Sequence, residues 1–309
     1  MTLSTINMAA LAERLSTLEE VKGRSLWADA RIRFSRNKAA VAGVIMLVFI
    51  SFYALFGEYF ARWAYEEIDW ALMGNAAQMG QPSLANGHYF GVDDLGRDLF
   101  ARTAQGTRIS LFVGVIGAVI SVVVGTLYGA ISGYVGGRTD QVMMRIVDIL
   151  LAIPFMFVII LLLVMFGRSL SMLFVGIGLL SWLSMARIVR GQTLTLKGKE
   201  FIEAAEATGV PGFIIILRHI VPNLLGIVAV YATLLIPEMI LTESFISFLG
   251  LGVQEPLTSL GRLISEGAST LNYGTTWQLI FPLIFFVITM FAFFFVGDGL
   301  RDALDPKDR

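Results

Sequence analysis

Six long stretches without a charged side chain restrict what this chain can fold into more than any other feature of it. Each stretch runs for 18 to 31 residues without aspartate, glutamate, lysine or arginine. A helix needs about 20 apolar residues to cross the roughly 30 Å hydrocarbon layer of a bilayer. We therefore predict an all-α, polytopic membrane protein with six transmembrane helices. The six stretches are 39–57, 109–137, 149–167, 169–186, 219–237 and 267–297.

The sequence also predicts how two of these spans end. Only Arg168 separates the third stretch from the fourth, so a tight turn at 166–169 should join two antiparallel helices. The fifth span is predicted to begin with a helical approach at 219–223. Because these first residues are an approach to the span, the span should continue past Glu238 toward Glu243.

Basic residues indicate how the spans are oriented, because lysine and arginine are enriched in cytoplasmic loops. With the N-terminus inside, 17 of the 23 lysines and arginines fall in inner segments and six in outer ones. Both termini are therefore predicted to be cytoplasmic. The inner segments are 1–38, 132–148, 187–223 and 298–309.

This topology divides the chain into a short arm and one membrane domain. Residues 1–38 stay polar and become basic, unlike a signal peptide, and are predicted to form a cytoplasmic N-terminal arm. Residues 39–309 are predicted to form the transmembrane domain. Its main loops are the outer loops at 58–108 and about 249–276 and the cytoplasmic loop at 187–223.

The residues that ordinary enzymatic or metal sites require are scarce. The chain has no cysteine, two histidines, His88 and His219, and a formal net charge of −1. Disulfides, thiolate chemistry and a histidine metal cluster are thus excluded, and nothing indicates nucleic-acid binding. Residues 197–200 come nearest to an ATP-binding loop but lack its leading glycine and its hydroxyl residue. We predict no catalytic residue, no bound cofactor and no metal, and only local hydrogen bonds for both histidines.

The predicted cytoplasmic loop contains a short helix that is bounded by helix-breaking residues. Residues 199–209 are rich in alanine and glutamate, which favour helix. Ala204 and Ala205 have small side chains, which would let another protein approach the backbone. Residues 209–212, Gly-Val-Pro-Gly, are predicted to end this helix. A second helical piece from Phe213 should lead to the fifth span.

This loop resembles the EAA loop of permeases in ATP-binding-cassette (ABC) importers. It ends His-Ile-Val-Pro where the general pattern ends Ile-x-Leu-Pro, a departure that is similar to the peptide-permease branch. In that family the loop is a coupling helix that sits in a groove of an ATPase subunit, and the resemblance implies this role here. Without the resemblance, an ordinary cytoplasmic helical hairpin is the alternative. The matching residues are Glu203, Ala204, Ala205, Gly209 and Pro222.

A second motif lies at the end of the first outer loop. From the residues alone, Asp93 or Asp94 should cap the helix that follows. Arg97 and Asp98 should pair or bond the loop backbone, and the alternative to any further role is that they merely fix the loop. The motif resembles the Gly-Thr-Asp-x-x-Gly-Arg-Asp signature of C-type peptide and nickel permeases, with Val92 in place of threonine. The matching residues are Asp93, Gly96, Arg97 and Asp98.

Further stretches extend the resemblance over nearly the whole chain. Residues 243–256 resemble another signature of the same branch, with Leu260 in place of its tryptophan. Residues 23–27 and 297–306 are most similar to C-type oligopeptide permeases. The resemblance implies a type I importer permease that carries oligopeptides across the bacterial cytoplasmic (inner) membrane by alternating access. Dipeptide and nickel permeases are the alternatives within the branch, and an ion-coupled secondary transporter is the alternative outside it.

The resemblance also implies what this chain assembles with. The implied partners are a homologous B-type permease, two cytoplasmic ATP-binding subunits, an external peptide-binding protein, the oligopeptide and membrane lipid. ATP and magnesium would be held by the ATP-binding subunits. The chain itself would move its helices rather than carry out covalent chemistry.

Two carboxylates and a set of glycines lie within the predicted spans. A carboxylate at membrane depth usually faces a partner or a water-filled space. Glu238, which follows Pro237, and Glu243 are therefore candidates for the translocation path or its gate. Structural pairing with a neighbouring helix or with the partner permease is the alternative. Glycines in the second span should allow close helix packing; they are Gly114, Gly117, Gly125 and Gly129.

Overall fold

The computed structural model of the protein describes residues 26–304. Apart from two isolated β-bridges, the regular structure in this range is helical, which confirms the predicted fold class. Most of the predicted arm and parts of the signatures at 23–27 and 297–306 lie outside the described residues. The helices are α1 Leu26–Arg36, α2 Lys38–Phe60, α3 Ala76–Met79, α4 Leu99–Val135, α5 Gly137–Ala152, α6 Phe155–Phe166, α7 Leu170–Lys197, α8 Glu200–Ala207, α9 Gly212–Phe248, α10 Leu260–Ser269 and α11 Thr276–Leu304.

Five helices in the described range are long and apolar enough to cross a membrane: α2, α4, α7, α9 and α11. A sixth span exists if α5 and α6 are counted together, although they are bent by 75° relative to each other. The break lies at Ile153 and Pro154, where Ile153 is extended. A residue that precedes proline is driven out of the helical region. The prediction of one helix over 149–167 is therefore wrong, while the count of six holds with this broken span.

Three other boundaries differ from the apolar stretches. Helix α4 begins ten residues before its stretch, at Leu99, and α7 runs on to Lys197. The sixth span begins at Thr276 rather than at 267, because α10 and a 3-10 turn at Leu271–Tyr273 precede it. The fifth span does continue past Glu238, as predicted, and ends at Phe248.

Glycines bring α4 and α7 into backbone contact, as the sequence predicts. A Cβ atom added at Gly129 would lie 2.3 Å from the carbonyl oxygen of Ala186. Additional Cβ atoms at Gly125 and Gly133 would meet α7 at 2.7 and 2.8 Å. Small residues at such spacing allow helices to pack closely where the hydrophobic effect gives little help. Earlier in α4, Gly114 lies against α9, where an added Cβ would meet side-chain atoms of Ile240 and Ile236 at 2.7 and 2.9 Å.

Aromatic side chains join the first outer loop to α2, α4 and α11. Phe90 of the loop stacks on Phe281 with ring centroids 4.1 Å apart. Tyr53 of α2 stacks on Phe285 at 4.2 Å and donates a hydrogen bond to the carbonyl oxygen of Phe100. The outer loop is thus fixed to three membrane helices.

Candidate functional site

Helix α8 presents one face outward and buries the other. Ile202 is fully buried and Ala205 is 8% exposed, and both belong to the main hydrophobic cluster of the bundle. Glu203 and Ala204 are exposed. The sequence predicted Glu203, Ala204 and Ala205 as contact residues for a partner, and the structure leaves only the first two accessible. Ala205 instead helps Ile202 to anchor the helix.

Gly209 ends α8 in the way that its position predicts. Its φ is +78°, a left-handed conformation that glycine adopts without a steric penalty. Its N–H donates to the carbonyl of Glu206, and the N–H of Val210 donates to the carbonyl of Ala205. This pair of bonds is a Schellman motif, which turns the chain into α9. Pro222, in the third turn of α9, is exposed.

Tyr134, near the end of α4, contacts the segments on both sides of α8. Lys197 at the end of α7 donates from Nζ to the carbonyl of Tyr134 at 2.6 Å, and lies 5.5 Å from the centre of its ring. On the other side, a Cβ at Gly212 would lie 2.8 Å from the ring. The Tyr134 side chain also lies near the carboxylate of Glu206 of α8. A displacement of α8 must therefore act on α4, α7 and α9.

A buried carboxylate fixes the same end of the bundle. Asp140 of α5 accepts hydrogen bonds from Arg190 Nε at 2.9 Å and Ser132 Oγ at 2.6 Å. Because Arg190 is paired, α7 can continue beyond its apolar stretch without exposing an uncompensated charge at this depth.

The outer motif forms a turn and a helix cap. Asp93 Oδ1 accepts from the N–H groups of Leu95 and Arg97, both at 2.9 Å, and Gly96 has a φ of +78°. The cap of α4 is Asp98, whose Oδ2 accepts from the N–H of Ala101 at 2.8 Å. The prediction that Asp93 or Asp94 caps this helix is thus wrong, because the turn at Gly96 separates them from it.

Arg97 and Arg102 join the two outer loops. The guanidinium of Arg97 bonds Asp93 Oδ2 at 2.7 Å and both carboxylate oxygens of Glu255, at 2.5 and 3.3 Å. Arg102 is fully buried and lies 3.3 to 3.6 Å from the carboxylates of Asp93, Glu255 and Glu266. The predicted pairing of Arg97 with Asp98 does not form.

Neighbouring charges shift the pKa values of Arg97 and Glu255. Burial alone would lower the pKa of Arg97, but its bonds to Glu255 and Asp93 outweigh burial and raise the pKa. Burial alone would raise the pKa of Glu255, yet the hydrogen bond from Arg97 and the charge of Arg102 bring the pKa below its ordinary value. Both groups therefore stay charged at neutral pH.

His88 forms local bonds, as predicted, but in a fully buried position. Its Nδ1 lies 2.9 Å from Asp98 Oδ1, and its ring stacks on Trp63 with centroids 4.9 Å apart. Val92, which replaces the threonine of the signature, is also fully buried, in an apolar cluster with Leu72 and Ala76. These contacts support the interpretation that the outer motif fixes the loop.

The two carboxylates of α9 have different surroundings. Glu243 is fully buried and accepts hydrogen bonds from the hydroxyls of Ser110, Ser244 and Ser247, at 3.0, 3.3 and 2.6 Å. Glu238 is exposed, and within residues 26–304 its side chain has no hydrogen bond or ion pair. Glu243 thus joins α9 to α4 inside this chain, whereas Glu238 faces away from it.

Glu238 belongs to an exposed stripe on α9. Tyr231 and Phe245 lie seven residues to either side of it, and all three side chains are exposed. Residues seven apart lie on nearly the same face of a helix. The stripe therefore runs for about 21 Å along the helix, at 1.5 Å per residue, with one carboxylate at its middle.

The chain is similar to transport proteins along its whole length. Residues 125–309 match the family "Binding-protein-dependent transport system inner membrane component", and residues 25–77 match "N-terminal TM domain of oligopeptide transport permease C". The chain is 57% identical to the oligopeptide transport system permease protein OppC of Escherichia coli K12 over 309 residues, all of both chains. The corresponding Bacillus subtilis protein is 46% identical over 298 residues, which are 96% of this chain and 94% of that one.

Two further similarities bear on substrate and fold. The dipeptide transport system permease protein DppC of Bacillus subtilis is 43% identical over 281 residues, 91% of this chain and 86% of that one. An inward-facing structure of the MetNI methionine ABC transporter matches with a TM-score of 0.53 at 18% identity, covering 64% of this chain and 94% of that one. At this identity the match shows the fold alone, which is that of a type I importer permease.

Proposed function

The chain belongs to the family of inner-membrane components of binding-protein-dependent transport systems, and from this premise we propose that it is the permease subunit of an oligopeptide importer. It is a multi-pass protein of the bacterial cytoplasmic membrane and a transport subunit, not an enzyme. The observation that carries the substrate class is the match to the oligopeptide permease of Escherichia coli over the full length at 57% identity. Within Bacillus subtilis, identity to the oligopeptide permease is 46% and to the dipeptide permease 43%.

The chain is one component of an ABC importer, which also has a permease partner and ATPases. We propose that the partner is a homologous B-type permease, and that two ATP-binding subunits, holding ATP and magnesium, meet the end of the bundle where α8 lies. That end would face the cytoplasm, as would both termini. A peptide-binding protein would deliver the oligopeptide at the opposite end of the bundle, where Arg97 and Arg102 join the outer loops.

Helix α8 is suited to transmit motion from an ATPase. Its exposed face carries Glu203 and Ala204, a charge for orientation and a small side chain for close approach. Its buried face carries Ile202 and Ala205, which make it move with the membrane helices. In this proposal, ATP-driven closure of the ATPases displaces α8, and Tyr134 passes the displacement to α4.

We propose that the exposed stripe of α9 lines one side of the translocation path, with the partner permease on the other side. Glu238 would then be a polar group within the path. Glu243, enclosed by three serine hydroxyls, would hold α9 against α4 and have no contact with peptide. A carboxylate at membrane depth requires either water or a partner charge, and a water-filled path would supply the first.

Glu238→Gln should lower peptide uptake by about tenfold, the effect of about 1.4 kcal/mol, without lowering the melting temperature of the purified complex. Glu243→Gln is the matched control: it should lower the melting temperature, because an amide has one acceptor oxygen where the carboxyl group accepts bonds from three hydroxyls, and leave the preference among peptides unchanged. If Glu238→Gln leaves uptake and basal ATP hydrolysis as in wild type, Glu238 has no role in the path.

Uptake into proteoliposomes that contain all subunits tests the substrate class. Radiolabelled tri- to pentapeptides should accumulate with ATP and not with a non-hydrolysable analogue. Accumulation of dipeptides or nickel in place of longer peptides would move the chain to another branch of the family. Uptake driven by an ion gradient without ATPase subunits would identify a secondary transporter instead.

A further inference from the structure

A cavity of about 580 Å³ opens between α1, α7, α9 and α11. It lies at the same end of the bundle as α8, because Leu196 and Pro222, on the helices that flank α8, both line it. Ligand sites in proteins commonly have volumes of about 300 to 1,000 Å³. The cavity is large enough for a short peptide.

The lining of the cavity combines an apolar wall with charges of both signs. Ile227, Val230 and Leu234 of α9 form part of the apolar wall. Asp29 of α1 and Arg301 of α11 bring a carboxylate and a guanidinium to the same space. In the part of the chain that the structure describes, Arg301 is exposed and forms no ion pair. It is therefore available to an anionic group of a ligand.

Neutral polar groups complete the lining. Gln192 of α7 and Asn223 of α9 contribute side-chain amides. The Asn223 amide donates from Nδ2 to the carbonyl of His219 at 2.6 Å, which leaves its oxygen as an acceptor. Amide side chains both donate and accept hydrogen bonds, as the backbone of a peptide does.

We propose that this cavity is a subsite for the transported peptide on the cytoplasmic side of the path, an inference that rests on the proposed function. Arg301 binds the α-carboxylate of the peptide and Asp29 binds its α-ammonium group. The amides of Gln192 and Asn223 bond the peptide backbone, and the apolar wall accepts side chains of varied shape. Recognition of this kind is independent of peptide sequence.

The cavity is continuous with the exposed stripe of α9. Tyr231 lines the cavity and also belongs to the stripe. Glu238 lies seven residues further along the helix, about 10 Å at 1.5 Å per residue. A peptide that leaves Glu238 therefore meets the cavity next.

The charges favour a zwitterionic peptide over an anionic lipid. A lipid phosphate would suit Arg301, but it would be repelled by Asp29. A peptide presents one charge of each sign, and these match Arg301 and Asp29. The lipid is thus the competing occupant that the experiment must exclude.

Equilibrium binding of radiolabelled trileucine to the complete permease–ATPase complex, without the external binding protein, tests the proposal. Omitting the binding protein leaves the membrane subunits as the source of any peptide recognition. The wild-type complex should bind the free peptide about tenfold more tightly than its C-terminal amide, and about tenfold more tightly than its N-acetyl derivative. Each factor corresponds to the loss of one charge-assisted bond.

Two variants assign these preferences to residues. Arg301→Gln should abolish the preference for the free carboxylate and keep the preference for the free amine, and Asp29→Asn should do the reverse. Arg218→Gln and Asp302→Asn are matched controls, since both residues are exposed near this end and neither lines the cavity. The controls should keep both preferences. A merely structural role would weaken all three ligands equally, which would overturn the proposal.

The same preparation separates this proposal from the proposed function. After the complex is reconstituted into proteoliposomes and the binding protein is added, the proteoliposomes should take up trileucine with ATP. Uptake without any binding by the membrane subunits would overturn the subsite and leave the function intact, and absence of uptake in wild type would overturn the function. Displacement of trileucine by phosphatidylglycerol in nanodiscs, dependent on Arg301, would assign the cavity to lipid and overturn the subsite.

Discussion

Gly209→Val should abolish most ATP-driven uptake while the protein remains folded. The residue has a φ of +78° and no atom lies within 4 Å of an added Cβ, so the substitution causes backbone strain without a clash. A left-handed conformation costs an ordinary residue roughly 1–2 kcal/mol, and more for a β-branched one. Because this strain opposes the Schellman turn, the correctly oriented state of α8 should become about tenfold less populated. Uptake and ATP hydrolysis in proteoliposomes measure the effect.

Two further variants separate strain from loss of a glycine. Gly198, at the other end of α8, also has open space around an added Cβ, but its φ is −86°. Gly198→Val should therefore preserve uptake. Gly209→Asn should retain more uptake than Gly209→Val, because asparagine tolerates the left-handed region. Equal uptake by wild type and Gly209→Val would contradict the coupling role of this turn.

Arg102→Met should destabilise the protein more than removal of any exposed arginine. The substitution leaves the carboxylates of Asp93, Glu255 and Glu266 without the buried cation that lies 3.3 to 3.6 Å from each of them. Removing one partner from a buried ion pair costs about 3–5 kcal/mol. The lower end applies here, because Arg97 still pairs with Asp93 and Glu255, and Arg262 with Glu266. The melting temperature of the purified protein should fall by about 10 °C.

Arg187→Met is the matched control for Arg102→Met. Arg187 pairs with Asp148 at 2.7 Å, but both side chains are more than half exposed. Exposed pairs contribute at most about 1 kcal/mol, so the control should melt close to wild type. Similar melting temperatures for Arg102→Met and Arg187→Met would contradict the bracing of the outer loops by Arg102.

The sequence predicts the position of α8 well, because this helix depends on residues within it and directly after it. Alanine and glutamate favour the helix, and Gly209 ends it by its own conformational freedom. The burial of Ala205 could not be predicted in this way. The 3.6-residue period places Ala205 near Ile202, but α8 is too short for its pattern to show which face meets the bundle.

The ends of the spans are predicted less well, because a charged residue does not always end a transmembrane helix. Arg102 and Arg190 lie inside α4 and α7, and each is neutralised by a carboxylate from another element. The sequence of the span itself gives no sign of that pairing. Pro154 is a local signal for the break in the third span, although the uncharged stretch continues on both sides of it.

The ion pairs of Arg97 and Arg102 with Glu255 and Glu266 could not be predicted from the sequence. Glu255 and Glu266 lie 158 and 164 positions after their partners, Arg97 and Arg102. Pairs so far apart follow from how α4, α9 and α10 pack. Within the motif itself, the turn at Gly96 placed Asp98 at the start of α4, and the glycine was a sign that the first aspartates belong to the turn.

Protection of a single cysteine on α8 tests most directly whether this helix docks an ATPase. The chain has no cysteine, so Ala204→Cys gives one reporter on the exposed face, and Gln81→Cys in the outer loop gives an exposed control. Maleimide should label both variants in the purified permease pair. Adding the ATPase subunits should slow labelling of Ala204→Cys by about tenfold or more, the result of a contact stabilised by at least 1.4 kcal/mol, and leave Gln81→Cys unchanged. Equal labelling of Ala204→Cys with and without ATPases would contradict the coupling role of α8.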